Sequence, residues 1–514
     1  MAERTSAPAR EQWTGQYGFI LAAIGSAVGL GNIWRFPGVA YENGGGAFLI
    51  PYLVALLTAG IPVLLLDYSL GHRFRGSAPT VFRRLGKPYE PLGWFQVAIA
   101  FIISTYYTVI IVWAIRYIGF SVDLAWGEDT AGFFIESFLQ DEGAQLSTTY
   151  VGGIFWPMLL VWLGVLVVIG LGVARGVERA NKIFIPLLVV LFAVMVVRAL
   201  FLEGAVDGLN AFFTPDWGAL RNPNVWIAAY AQIFFSLSIA FGIMITYSSY
   251  LRRRSNVAPS GFVVAFANSS FELLAGIGVF ATLGFMAFQQ GVAVDELENI
   301  SGVMLSFATF PQIVSSMPGG PIFGVLFFTS LALAGITSLI SIIQVYAAAF
   351  QEKFALGRVQ ATVLIGGLAM VLSLALYSTT SGLAILDTVD KYTNEVGVVL
   401  SAIITCVVVT LGARKLRELR MHLNTVSTGH LGGWWSLLVG LVVPLVLAFM
   451  LVSTVIDLFR EPYSGYPWGF LTVAGWGALG LMVVAAVAFT LIPWRRPVDD
   501  YTPDPVLETT KVTR

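Results

Sequence analysis

Charge is scarce in this sequence. Asp, Glu, Lys and Arg together supply 11% of its 514 residues, where a soluble chain carries about 25%, so a fully wetted surface is excluded. The 29 basic residues nearly cancel the 30 acidic ones. No net field draws a polyanion, and no nucleic acid is expected as a partner. A single cysteine, Cys406, excludes an intramolecular disulfide and a thiolate metal cluster. Three histidines, His72, His422 and His430, stand at no ligand spacing. There is also no serine–histidine pairing, His/Asp/Glu metal set or phosphate loop, so the chain is not expected to be an enzyme.

Hydrophobic residues take the place of charge: they make 57% of the chain, and the mean hydropathy is +0.79. Twelve apolar runs are long enough for about 30 Å of hydrocarbon. They cover 13–38, 46–72, 91–122, 154–173, 180–201, 225–250, 261–288, 321–352, 359–377, 383–412, 434–458 and 468–493. An all-α integral membrane protein, embedded in the lipid bilayer, is predicted. Its first residues lack the charged segment, short apolar stretch and cleavage site of a removable signal peptide. Basic residues gather in alternate connections, as at Arg73–Lys87, Arg252–Arg254 and Arg414–Arg420, and 23 of the 29 fall on one side. The other side is acidic, with Asp123, Glu128, Asp129, Asp207, Asp295 and Glu298 among its residues. The positive-inside rule puts the basic side and both termini in the cytoplasm, the chain crossing the inner (plasma) membrane. Two outer connections, 123–152 and 289–320, are long enough to lay short helices over the mouth.

The first run is interrupted by its own composition. Gly25-Ser26-Ala27-Val28-Gly29-Leu30-Gly31-Asn32 sets three glycines within seven residues at mid-membrane, each weakening a helix by about 1 kcal/mol. Backbone released there must be buried in protein or line a cavity, because lipid cannot satisfy it. Taken alone, close packing of small residues against a neighbour explains the pattern equally well. The sixth run weighs against that. There Phe234-Phe235-Ser236-Leu237-Ser238-Ile239-Ala240-Phe241-Gly242 brings hydroxyls, a small residue and a glycine to mid-depth. Runs one and six hold matching positions in two five-helix halves, and an odd number of helices inserts the second half upside down. Matched interruptions in inverted repeats point to the central site of a transporter, with helix ends for an anionic group and free carbonyls for a cation. The expected organisation is a cytoplasmic segment 1–12, a first repeat 13–203, a second repeat 225–413, two peripheral spans in 434–493, and a cytoplasmic disordered tail 497–514.

Gly25 to Pro37, the Glu42–Tyr52 stretch rich in glycine, Gln232–Ser238, Ala334–Ser338 and Asp387–Asp390 together resemble the neurotransmitter:sodium symporters, in order and across runs one to ten. Bacterial, LeuT-like amino acid transporters are the nearest in pattern, since animal members usually carry a cysteine pair in the second outer loop and this chain has none there. The resemblance implies a LeuT-type 5+5 inverted repeat with helices 1 and 6 unwound, and sodium-driven import of a small amine-bearing solute by alternating access.

It also implies two sodium sites. Site one would use the Ala27 carbonyl, Asn32, Ser236 and Asn268, with the carboxylate of the substrate. Site two would use carbonyls of Gly25, Val28 and Ala334 with the hydroxyls of Thr337 and Ser338. Ser236 stands where most relatives have threonine. The alternative for Thr337 and Ser338 is a hydroxyl bonding back within its own helix. At Gly29, relatives that carry monoamines have an aspartate; glycine leaves room for a substrate carboxylate, which implies an α-amino acid. Its carboxylate would meet sodium and the Tyr107 hydroxyl, and its ammonium the unwound backbone, within a site formed by Ser26, Ala27, Leu30, Gly31, Tyr107, Phe235 and Ser236. The side-chain pocket would be lined by Ile103, Phe241, Ser238, Ser338 and Ile342. None of these is charged, so a neutral, hydrophobic L-amino acid is expected.

Ionisable residues inside a membrane default to functional readings. Arg35 and Asp390 resemble the family's outer gate, with Phe235 and Tyr107 closing over the substrate; a permanent structural ion pair is the alternative. Arg10, Trp13 and Glu352 resemble the cytoplasmic gate, with glutamate at a position that is usually aspartate. Glu272 stands where chloride-dependent relatives have serine, amid residues matching Tyr52, Gln232, Ser236 and Asn268. A carboxylate there would replace chloride, and its protonation on the return step would give proton countertransport; a fixed hydrogen-bond anchor is the alternative. Glu42 and Asp67 are read as structural carboxylates bonded to freed backbone.

A channel would need a continuous polar pore, whereas the polar groups here converge at one depth. A proton-coupled permease of the same fold would lack the Thr337-Ser338 pair in this form. A non-transporting amino acid sensor is a further alternative.

Overall fold

Residues 11–297, 300, 302–499 and 501 are described by the structure, a computed structural model. Among them, ten helices are long and apolar enough to cross a membrane, and two shorter interrupted helices complete the set. In chain order the elements are α1 (Gln16–Ala27), α2 (Arg35–Glu42), α3 (Gly46–Phe74), α4 (Ala78–Leu85), α5 (Lys87–Asp123), α6 (Gly152–Gly170), α7 (Val173–Leu200), α8 (Ala205–Phe213) and α9 (Pro223–Ser236). There follow α10 (Ile243–Ser249), α11 (Val257–Gln290), α12 (Gly320–Lys353), α13 (Arg358–Tyr377), α14 (Gly382–Gly412), α15 (Leu416–Val426), α16 (Gly433–Gly465) and α17 (Trp468–Leu491). No strand forms among the described residues beyond two isolated bridges.

Helices prevail because each apolar run must satisfy its own backbone in hydrocarbon. The two exceptions are the glycine- and serine-bearing breaks. Between α1 and α2, Val28 and Gly29 are extended and a single turn, Leu30–Ile33, resumes the helix. Between α9 and α10, Ser238, Ala240 and Gly242 all have positive φ; for the two non-glycines that costs about 1–2 kcal/mol each.

Burial sorts the helices into a centre and a periphery. In α5, α11 and α12, 78% of the most apolar window is buried, against 22% in α16. The broken pair α1/α2 and α9/α10 is packed among α3, α5, α11 and α12, so both breaks lie inside protein. The outer connections carry short helices, as at Phe310–Ser316.

At the basic end, the strand of chain before α1 is pinned down. Glu11 pairs with Arg358, the Trp13 indole donates to the Tyr247 carbonyl (2.9 Å), and the Thr14 amide donates to the buried Glu178 (2.9 Å). The tail, expected to be disordered from Pro497, makes defined contacts at Val498, Asp499 and Tyr501. Asp499 pairs with Arg83 (2.9 Å) and Lys87 (3.5 Å), the Val498 carbonyl accepts from Arg84 (3.2 Å), and Tyr501 lies under the Arg84 guanidinium (4.1 Å). These ion pairs and the burial of Val498 hold what composition alone leaves loose. Residues 1–10 and 502–514, including the proposed gate residue Arg10, lie outside the described residues.

Candidate functional site

The two breaks face each other and are tied together. Ser238 Oγ donates to the Ser26 carbonyl (2.9 Å), while Ser338 Oγ on α12 lies 3.3 Å from the Gly25 carbonyl and 3.2 Å from that of Ser26. The released backbone is captured as bulk physics requires. Leu30 N–H reaches the Tyr107 hydroxyl (3.2 Å), Gly29 N–H reaches Asn32 Oδ1 (2.8 Å), and Ala240 N–H reaches Asp67 Oδ2 (3.0 Å). Asp67 thus holds freed backbone, as read from the sequence. Glu42 does not: it is exposed at the rim of the vestibule, and its carboxylate has no hydrogen-bond partner among the described residues, because the chain around it is already helical.

Between the breaks lies a cavity of about 40 Å³. Ser26, Ala27, Gly31, Ile103, Tyr107, Phe235, Ser236, Ser238, Phe241, Ser338 and Ile342 all line it. Leu30, expected beside them, faces the vestibule above instead, since the helical turn after Gly29 rotates it outward. Asn394 lines the cavity and was not anticipated. It donates to Asp390 Oδ1 (2.8 Å) one turn away, so the i,i+4 spacing of two polar residues in an apolar run was the available signal. No Asp, Glu, Lys or Arg lines the cavity.

Two glycines set its shape. A Cβ on Gly29 would lie 2.8 Å from both Ser338 Oγ and the Tyr107 hydroxyl, and one on Gly31 would enter the Phe235 ring. Side chains at these positions would push the cavity wall inward.

The oxygen-bearing residues fall into two groups. In the first, Asn32 Nδ2 donates to Asn268 Oδ1 (2.8 Å) and Asn268 Nδ2 to Ser236 Oγ (3.1 Å). In the second, Ser338 meets α1 carbonyls as above, and Thr337 Oγ1 bonds to the carbonyls of Leu333 (3.2 Å) and Ala334 (3.0 Å). Val28 closes this second group, sitting where α1 ends. The first set offers amide and hydroxyl oxygens and the second carbonyl and hydroxyl oxygens, the kinds a hard monovalent cation favours, with the Thr337 hydroxyl bonded back within its own helix.

Glu272 is fully buried on α11, one turn beyond Asn268. Its carboxylate accepts from Gln232 Nε2 (2.6 Å), from the Tyr52 hydroxyl and from Ser236. Among the described residues no cationic side chain faces it, so this carboxylate stands next to the first oxygen set with only neutral donors around it.

Above the cavity a vestibule of about 560 Å³ opens toward the acidic end, lined by Trp34, Arg35, Tyr107, Phe235 and Asp390 among others. Tyr107 and Phe235 line both spaces and separate them. Arg35 lies over the Phe235 ring (4.6 Å) and makes no ion pair with Asp390, whose carboxylate is held by Asn394. At the opposite end Trp13 is buried, and Glu352 accepts from Ser77 N (3.0 Å), Ser77 Oγ (2.7 Å) and Thr80 Oγ1 (2.5 Å). Glu11 and Glu178 also hold the chain before α1 at this end and were not read from the sequence, where a carboxylate beside a basic cluster is unremarkable.

The sequence profile of the sodium:neurotransmitter symporter family matches residues 10–136 and 127–496. An uncharacterized sodium-dependent transporter of Methanocaldococcus jannaschii is 39% identical over 461 residues, 89% of this chain and 93% of the relative. A sodium- and chloride-dependent creatine transporter of Homo sapiens is 31% identical over 374 residues, 65% of this chain and 59% of the relative. The structure of MhsT in complex with L-phenylalanine is similar at a TM-score of 0.74 with 34% identity, covering 87% of this chain and 100% of that one.

Proposed function

This chain belongs to the sodium:neurotransmitter symporter family, and on that premise we propose that it imports a neutral, apolar α-amino acid together with sodium. It is a multi-pass membrane transporter, not an enzyme. The observation that carries the substrate reading is the uncharged cavity with Gly29 at its wall, where the space beside Tyr107 and Ser338 suits a carboxylate. The bound L-phenylalanine of the MhsT structure supports the same class.

In this reading Asn32, Ser236, Asn268 and the Ala27 carbonyl hold one sodium ion with the substrate carboxylate. Gly25, Val28, Ala334, Thr337 and Ser338 hold the other. Substrate ammonium meets the carbonyls of the two breaks at their negative helix ends. Arg35 and Asp390 approach across the vestibule once the site is filled, with Phe235 and Tyr107 folding over it. The basic end faces the cytoplasm, so the open vestibule marks an outward-facing state, and Trp13 and Glu352 belong to the inner closure. Arg10 would join them.

Glu272 supplies the anion that other members take from solution, which makes transport independent of chloride. Once sodium leaves, the buried carboxylate loses its counter-charge and takes up a proton for the return step. The test is a binding screen of the twenty amino acids with and without sodium. Sodium-dependent binding of apolar amino acids alone is expected; sodium-independent binding, or a preference for charged substrates, overturns the reading.

A further inference from the structure

We infer that the groove between α5, α12, α13 and α17 holds one acyl chain of an anionic phospholipid, with its phosphate at Arg495. A cavity of about 240 Å³ lies there, walled by Trp94, Phe101, Tyr346, Phe350, Leu368 and Phe489 among other apolar residues. The polar groups of that wall are turned away: the Trp94 indole donates to Glu90 (3.0 Å) and the Tyr346 hydroxyl bonds to Ser104 (3.3 Å). An apolar cavity without hydrogen-bond partners does not hold water. Its mouth is formed by Leu368 and Leu481, which are 50% and 57% exposed in the middle of their spans. It therefore opens to hydrocarbon, and a hydrocarbon chain is the molecule present there to fill it.

Charge selects the headgroup. The groove lies toward the basic end: Trp94 is about two turns into α5, while Phe350 and Phe489 are in the last turns of α12 and α17. One turn past Phe350, the Lys353 carbonyl accepts from the Arg495 amide (3.1 Å), which fixes Arg495 just outside the groove. Arg495 and Arg496 are exposed. The neighbouring carboxylates are already engaged, Glu90 by Lys353 (2.7 Å) and Arg83 (2.6 Å), and Asp499 by Arg83 and Lys87. Lys353, Arg83 and Lys87 are thus matched by Glu90 and Asp499. Arg495 is exposed next to the end of the slot, and Arg496 lines the adjoining basic-end cavity with Arg75, Arg84, Glu11 and Glu352. An exposed arginine at the cytoplasmic end of an acyl-lined groove is where an anionic headgroup is held. The inference concerns lipid binding and stands whichever solute the central site takes.

The test uses the full chain, purified in mild detergent, stripped of lipid and offered phosphatidylglycerol or phosphatidylcholine with identical acyl chains. Native mass spectrometry should find one phosphatidylglycerol retained per chain, at least about tenfold in preference to phosphatidylcholine. Arg495→Gln with Arg496→Gln should reduce that preference to near parity. Ala98→Leu with Ala485→Leu, which fill the groove, should abolish retention of both lipids while sodium-dependent amino acid binding persists. As a readout on an unfilled groove, phosphatidylglycerol with brominated chains should quench tryptophan fluorescence, and Trp94→Phe should remove part of that quenching. Equal retention of the two lipids by the wild type overturns the headgroup assignment. Unchanged retention in the folded, filled variant, or quenching indifferent to Trp94, overturns the groove.

Discussion

Replacing Glu272 with serine separates a built-in anion from a structural anchor. The carboxylate is fully buried and hydrogen-bonded to Ser236, which the proposed mechanism makes a sodium ligand. A sodium ion on the Ser236 hydroxyl would stand about 5 Å away, one ion–oxygen contact plus one hydrogen bond. At an effective dielectric constant near 20, opposite unit charges at that distance attract by about 3 kcal/mol. Each factor of ten in affinity corresponds to about 1.4 kcal/mol. Sodium half-saturation should therefore rise about a hundredfold in Glu272→Ser when chloride is absent. The assay is a sodium titration of bound radiolabelled L-phenylalanine, run in chloride and again in gluconate. Wild type should give one curve in both salts. Chloride should recover most of the loss in Glu272→Ser, because serine keeps a hydroxyl and vacates a carboxylate-sized space lined by Tyr52 and Gln232. Glu272→Gln fills that space without charge and should stay weak in both salts. A wild type that needs chloride, or a serine variant with the wild-type curve in gluconate, refutes the reasoning.

Thr337→Ala with Ser338→Ala should raise sodium half-saturation at least about tenfold, since two of the five oxygens proposed for the second site disappear; an unmoved titration would remove that assignment. Arg35→Ala should slow uptake into proteoliposomes while leaving equilibrium binding within about threefold, and a wild-type transport rate would show that the vestibule closes without it. Gly29→Ala places a Cβ 2.8 Å from Ser338 Oγ and the Tyr107 hydroxyl, so amino acid affinity should fall about ten- to a hundredfold, as read by isothermal titration. At the basic end, Arg83 beside Asp499 holds its carboxyl below the usual carboxylate range. The pair therefore contributes above the ordinary value of about 3.9 and is lost only as pH falls through the lowered one. Trypsin cleavage after Arg495, expressed relative to a free peptide substrate at each pH, should accordingly stay slow and constant from pH 6 to 8 and become faster in Asp499→Asn; equal rates would mean that the tail is held elsewhere.

How much of this was legible depends on the range of the signal. The breaks could be read because glycine and serine act locally on helix stability, and their matched positions needed only counting. Tyr107, Phe235, Ser338 and Ile342 were placed by resemblance, and the cavity gathers them. Leu30 lines the vestibule rather than the cavity because the helix resumes after extended Val28 and Gly29, dihedrals that no composition specifies. Asn394 carries no signal of its own in the sequence beyond its i,i+4 spacing from Asp390, whose carboxylate it meets in the structure. Glu11 and Glu178 act through contacts 347 and 164 residues apart in sequence, a range at which charge alone names no partner. The ordered start of the tail was missed for the same reason: its contacts are with Arg83, Arg84 and Lys353, residues of the second connection and of the end of α12.

That last feature sets terms for anyone who handles the molecule. The Trp494 indole donates to Glu90 (2.8 Å) and covers the Lys353 ammonium (4.6 Å), so the chain after α17 is the plug over an ion pair that is otherwise sealed from solvent. A chain shortened to Leu491 would uncover that pair and remove the links that Asp499 and Arg495 make to Arg83 and Lys353, leaving Glu352 on Ser77 and Thr80 to tie α4 to the end of α12. An affinity handle or fluorescent reporter joined there would measure a transporter with its Glu90–Lys353 pair uncovered. Joined beyond Tyr501, the same handle leaves the plug seated, and a difference between the two fusions would be a direct gauge of what these tail contacts contribute.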